Sequence, residues 1–116
     1  MDFVEHGASS LHALKANVAA LRVMDRCRIF KRDAIPFVDA LPPDAYDIAV
    51  ADPPYGSRKL NRVVDRWKDV RFSRILCVEH DPKHDVGLQG QTLRFGDTAV
   101  TLLGLSRRGT RRRRRG

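Results

Sequence analysis

Apolar positions along this 116-residue chain follow two rhythms, and the rhythm changes often. Phe3 and Val4 make a short apolar start that Glu5, His6 and Gly7 end. Leu11, Leu14, Val18 and Leu21 then recur at helical spacing, with Ser9 or Ser10 placed to cap the helix. Arg28-Ile29-Phe30-Lys31 predicts a brief strand, and Ile35 to Leu41 a short helix stopped by Pro42 and Pro43. Tyr46 to Ala51 is the clearest strand, nearly all apolar and so expected to be covered on both faces. Asn61 to Lys68 predicts a helix with Val63, Val64 and Trp67 on one side, and Arg74 to Glu79 another buried strand. Gln91 to Phe95 and Thr98 to Leu103 flank Gly96-Asp97, the signal of a hairpin.

Strands alternating with helices predict an α/β fold with a mostly parallel sheet. Ligands in such sheets bind beyond the carboxyl ends of the strands. Three acids stand at or near such ends: Glu5, Asp33 and Asp52. Glu5 suits ribose hydroxyls or, equally, the start of the following helix. Asp33 suits an adenine amino group or the amino-terminal dipole of a helix ahead of Ile35.

Charge changes the picture less than its total suggests. Of a net charge of +8, seven units come from the arginines of RRGTRRRRRG at 107–116, which leaves about +1 for the rest. That splits the chain into a nearly neutral body over 1–105 and an Arg-rich tail from 106, whose composition cannot build a core and predicts disorder. The tail reads either as a solvated terminus or as an arm for RNA phosphates. No apolar run approaches the roughly 20 residues of a membrane span, and the start is not that of a signal peptide. Cys27 and Cys77 lack CxxC spacing and predict buried free thiols of a cytosolic protein. Cys77, Glu79, His80 and His84, near Asp81 and Asp85, match no metal-ligand pattern, and Pro82 breaks any helix that could align the two histidines. His6 and His12 read as surface residues.

The most specific chemistry lies at the end of the clearest strand, in VADPPYGS at 50–57. Each proline fixes its own φ and lacks an N–H, and the residue before a proline is pushed out of the helical region. Asp52-Pro53-Pro54-Tyr55 is therefore a stiff, extended corner that presents a carboxylate, backbone carbonyls and an aromatic ring. That set matches an exocyclic amino group on a planar base, which must be extruded from a stem to reach it.

DPPY resembles the fourth motif of amino-methyltransferases that use S-adenosylmethionine. The wider pattern resembles the RsmD-like family, which methylates the N2 amino group of a guanine in small-subunit ribosomal RNA. FVEHGASSLHALKANVAAL is similar to that family's second motif and helix, RDA at 32–34 to its third motif and YDIAVADPPY to its fourth. ILCVEH at 75–80 is similar to its next core strand, and RFGDTAVTLL at 94–103 to its closing hairpin. The resemblance implies a Rossmann-like class I methyltransferase sheet with a C-terminal β-hairpin. It also implies a cytoplasmic enzyme acting on small-subunit rRNA or an assembling 30S particle. Glu5 would bind the cofactor ribose, and Asp33 with Ala34 the cofactor adenine. Asp52 and the Pro53-Pro54 backbone would hold the target amino group, with Tyr55 stacked on the base. A DNA adenine-N6 methyltransferase, or a non-catalytic RNA-binding or ribosome-assembly protein on the same fold, are the alternatives.

The resemblance also sets a departure. Such enzymes open with a strand and a Gly-rich turn for the cofactor's methionine end, whereas Gly7 is the only glycine here before Gly56. The absent strand would lie between the one at 3–5 and the one at 46–51. Three readings follow: an incomplete gene product with Met1 an internal methionine, direct pairing of the two strands, or a second chain completing the sheet. The first is favoured. The expectation is that this polypeptide binds S-adenosylmethionine weakly or not at all, and titration calorimetry showing micromolar binding overturns it.

Overall fold

Asp2 and Arg28 stand directly opposite each other on two short parallel strands, β1 (Asp2–Val4) and β2 (Arg28–Phe30). Two hydrogen bonds of 2.8 and 2.7 Å join the guanidinium to both carboxylate oxygens, which pins the register. In this computed structural model the described residues are 1–52, 58–84 and 90–104, and they fall into two compact units divided after Ala40.

In the first unit, β1 leads through Glu5 into α1 (Ala8–Ala20). The helix starts from Gly7, ahead of the expected serine cap, because Glu5 Oε2 accepts from the His6 and Gly7 N–H groups at 3.0 Å each. That turn directs the chain into a first helical bond from Leu11 N–H to the Gly7 carbonyl at 2.8 Å. Leu11 and Val18 are buried as their spacing predicts, whereas Leu21 lies past the last turn and is exposed. A short 3-10 turn at Met24–Arg26 precedes β2, and α2 (Ala34–Asp39) follows, capped by Asp33, whose Oδ1 accepts from the Ile35 N–H at 3.0 Å.

The second unit is a four-stranded sheet under one helix. Its strands are β3 (Tyr46–Ala51), β4 (Ser73–His80), β5 (Gln91–Phe95) and β6 (Thr98–Leu103), in the order β3-β4-β6-β5. β3 and β4 are parallel, and β6 runs antiparallel to both β4 and β5. The hairpin falls on the expected residues, with Gly96 at φ +60° in the first turn position, as a type II′ turn requires.

The helix α3 (Lys59–Val70) buries Leu60, Val63, Val64 and Trp67, the i, i+3, i+4, i+7 stripe of an amphipathic helix. Leu76, Val78, Ala99, Thr101 and Leu103 are buried on β4 and β6. Trp67 Nε1 donates to the Ser73 carbonyl at 2.9 Å, which fixes the helix-to-strand turn. Gly104, at φ +91°, ends β6 where a Cβ would strike the Arg74 carbonyl oxygen and lie 3.0 Å from Trp67 Cζ2. A polar chain, buried at His80 and Thr101, crosses this face of the sheet. His80 Nδ1 lies 2.8 Å from the Asp81 carbonyl and Nε2 2.7 Å from Thr101 Oγ1, which is 2.8 Å from Thr92 Oγ1. A carbonyl only accepts, so Nδ1 carries a proton, and in the neutral ring Nε2 accepts from Thr101.

The other face departs from expectation. Pairing places Ile48 beside Ile75 and Val50 beside Cys77, with Leu102, Val100 and Leu93 continuing the row across β6 and β5. Ile48 and Val50 are 61% and 73% exposed, so β3 is not covered on both faces. The reason is its position: β3 is an edge strand of its sheet, and α3 serves the opposite face. β1–β2 and β3–β6 form separate sheets, so direct pairing of the strand at 3–5 with that at 46–51, one of the three readings of the departure, does not occur. Cys27 and Cys77 are free thiols but half-buried, less enclosed than expected.

The two faces predict unequal mutational costs. Leu76→Ala is expected to lower unfolding free energy by about 2–5 kcal/mol through the cavity it leaves, and Ile48→Thr to change it by no more than about 0.5 kcal/mol. Gly104→Ala is expected to cost more than about 1 kcal/mol. Urea unfolding of the three variants checks the ranking.

Candidate functional site

The sequence-predicted acids fall into two groups, one in each unit. In the first unit β1 and β2 are parallel with Val4 opposite Phe30, so Glu5 and Asp33 follow the same end of the two-stranded sheet. Both carboxylates are already oriented by backbone, Glu5 by the His6 and Gly7 N–H groups and Asp33 by that of Ile35. Helix capping, the alternative reading of each acid, is thus present for Asp33 and holds Glu5 at the approach to α1. Ala34 is the first residue of α2.

The second group was only half visible in the sequence. Ala51 is opposite Val78 at the end of the β3–β4 ladder. Side chains alternate along a strand, so Asp52 and Glu79 take the next opposed positions, on the face that carries Val50 and Cys77. Glu79 is held there by β6: Thr98 Oγ1 lies 3.2 Å from its Oε2 and 3.4 Å from the His80 carbonyl. Asp52 is exposed, yet partial desolvation, and then the charge of Glu79, raise its carboxyl pKa above the ordinary value. The Cys77 thiol is pushed up by the same two causes in the same order. Glu79 went unnoticed as a neighbour of Asp52, and Thr98 as a partner of Glu79, because only strand register brings them together. The remaining DPPY residues, Pro53, Pro54 and Tyr55, lie outside the described residues, as does the Arg-rich tail.

Alternation also explains why His80 does not join this group, and His84 lies past the end of β4. His80 points to the buried face and is engaged by Asp81 and Thr101, and His84 Nε2 meets Asn61 Oδ1 at 2.8 Å. Among the described residues no three His, Cys, Asp or Glu side chains gather as a metal site. No helix among them is long and apolar enough to cross a membrane.

Carboxylates at the ends of parallel strands accept from hydroxyl and amino groups, the donors that a nucleoside presents. Glu5 and Asp33 fit the adenosine part of a nucleoside cofactor on that chemistry. No residue in the described set supplies a Gly-rich cradle for a methionine end.

Comparison with known proteins places the fold. A protein from Haemophilus influenzae described as a "putative methylase" matches 87% of this chain with TM-score 0.69 at 14% identity. A "putative methyltransferase" from Escherichia coli also matches 87%, with TM-score 0.64 at 20% identity. A conserved hypothetical protein from Streptococcus pyogenes matches 87%, with TM-score 0.73 at 17% identity. The chain spans 69%, 59% and 68% of those three chains, respectively. No family model and no curated protein matches the sequence. The chain therefore shares the α/β fold of these structures.

The raised carboxyl predicts a pH signature. A folded chain that holds the Asp52 proton more tightly than the unfolded chain loses stability as pH rises from the ordinary carboxylate value through the raised one. Asn does not titrate. The stability of Asp52→Asn relative to the parent is therefore expected to grow across that window and stay level above it. Urea unfolding from about pH 3 to pH 7 measures the difference, and a flat difference contradicts the assignment.

Proposed function

We propose that the chain belongs to an S-adenosylmethionine-dependent RNA methyltransferase that modifies the exocyclic N2 amino group of a guanine in small-subunit rRNA, in the cytoplasm. The observation that carries this reading is Asp52, at the carboxyl end of a parallel strand, next to a second carboxylate and raised in pKa. Likeness to solved structures described as a methylase and a methyltransferase supports the class. The motif resemblance supports the guanine and the rRNA.

In this reading Glu5 accepts from the cofactor ribose, and Asp33 with Ala34 borders its adenine. S-adenosylmethionine, when bound, supplies a methyl carbon already activated by its sulfonium. The chain's own work is positioning. Asp52 accepts a hydrogen bond from the target amino group and draws the nitrogen lone pair out of conjugation with the ring. It then receives the proton that the nitrogen gives up on alkylation and releases it to solvent. Pro53 and Pro54 stiffen the corner, and Tyr55 stacks on the extruded base. The arginines at 107–116 add sequence-independent affinity for rRNA phosphates, in free rRNA or an assembling 30S particle.

Asp52→Ala is expected to lower methyl transfer to small-subunit rRNA by about 100-fold or more, with RNA binding unchanged. Equal activity of that variant sinks the role. Deleting 107–116 is expected to weaken RNA binding and flatten its salt dependence, while transfer survives at raised RNA concentration. Strong RNA binding by the parent with no transfer under any condition supports instead a non-catalytic RNA-binding protein.

A further inference from the structure

We propose that Glu79 is a positioning residue for Asp52: held in place by Thr98, it keeps the Asp52 carboxylate basic enough to accept from, and take the proton of, the target amino group. The inference rests on the function proposed above, but its physical basis is independent of that function.

Three observations carry it. The β3–β4 ladder ends with Ala51 opposite Val78, and Asp52 follows Ala51 as Glu79 follows Val78, so alternation turns both side chains toward the face of Val50 and Cys77. Glu79 does not swing freely, because the Thr98 hydroxyl on β6 reaches its Oε2. Parallel strands also bring their carboxyl ends to one side, the side where ligands of such sheets bind. Among the described residues, the ionisable groups that act on Asp52 from the neighbouring strand reduce to Glu79, with Cys77 one step behind it on the same face. The charge of Glu79 opposes ionisation of Asp52. Partial desolvation is the larger cause of the raised Asp52 carboxyl, and Glu79 adds to it in the same direction, making Asp52 a better acceptor than an isolated surface aspartate. The pair differs from a carboxylate dyad that shares one proton: Asp52 is exposed, so the coupling is a tuning effect.

Glu79→Gln tests the idea, because Gln retains the oxygen that accepts from Thr98 and removes only the charge. Carbon-13 NMR titration of the Asp52 carboxyl in the full chain is the first readout. The Asp52 midpoint is expected to move down in Glu79→Gln, and an unmoved midpoint overturns the proposal. The second readout is methyl transfer to small-subunit rRNA at saturating cofactor. kcat is expected to fall by about three- to tenfold, KM to stay within about twofold, and the acid limb of the pH profile to move to lower pH. An unchanged profile overturns the proposal even where the midpoint moves. Thr98→Val, which frees the Glu79 carboxylate, is expected to show a smaller change in the same direction. A moved midpoint with no transfer by the parent chain leaves the coupling standing and overturns the functional reading on which its role depends.

Discussion

The candidate site depends on the parallel pairing of β3 with β4. That ladder places Val50 beside Cys77 and Ala51 beside Val78, and so sets Asp52 beside Glu79 at the strand ends. A slip of one residue would turn every side chain of β3 to the other face and take Asp52 away from Glu79. The register is fixed from one side only. Ala49 and Ala51 share a face with the buried Leu76 and Val78, whereas Ile48 and Val50 are largely exposed. The small alanines let β3 share the face that α3 covers on β4, and turning Ile48 and Val50 there instead would overfill it.

The acids of the two units are held differently, and the difference matches their proposed tasks. Glu5 and Asp33 accept from backbone N–H groups, which orient their oxygens. Carboxylates of that kind suit steady acceptance from hydroxyl or amino donors. Asp52 sits in a partly desolvated place beside a second carboxylate, which makes its own proton harder to lose. A carboxylate of that kind suits a group that must receive a proton. The same strand-end position therefore supports two chemistries, distinguished by what surrounds it.

Much of the fold could be read from the pattern of residues. The hairpin was marked by Gly96-Asp97 between two alternating runs, and α3 by Val63, Val64 and Trp67. The strand that leads to Asp52 was marked by its apolar run. Three things could not be read. An apolar run says that a strand is hydrophobic but not whether a neighbour lies over it, so the exposure of Ile48 and Val50 was missed. The start of α1 at Gly7 depends on the Glu5 carboxylate, a contact that overrides the stronger capping preference of the serines. The partnership of Asp52 with Glu79 joins residues far apart in the chain and exists only through register.

The most direct measurement is nucleoside analysis of small-subunit rRNA after incubation with the chain, any partner needed to complete its sheet, and isotopically labelled S-adenosylmethionine. Adenine-containing DNA is treated in parallel. The account predicts label in N2-methylguanosine from the RNA and none in the DNA. Label in N6-methyladenine from the DNA, or no labelled nucleoside from an RNA that the chain binds tightly, would contradict it.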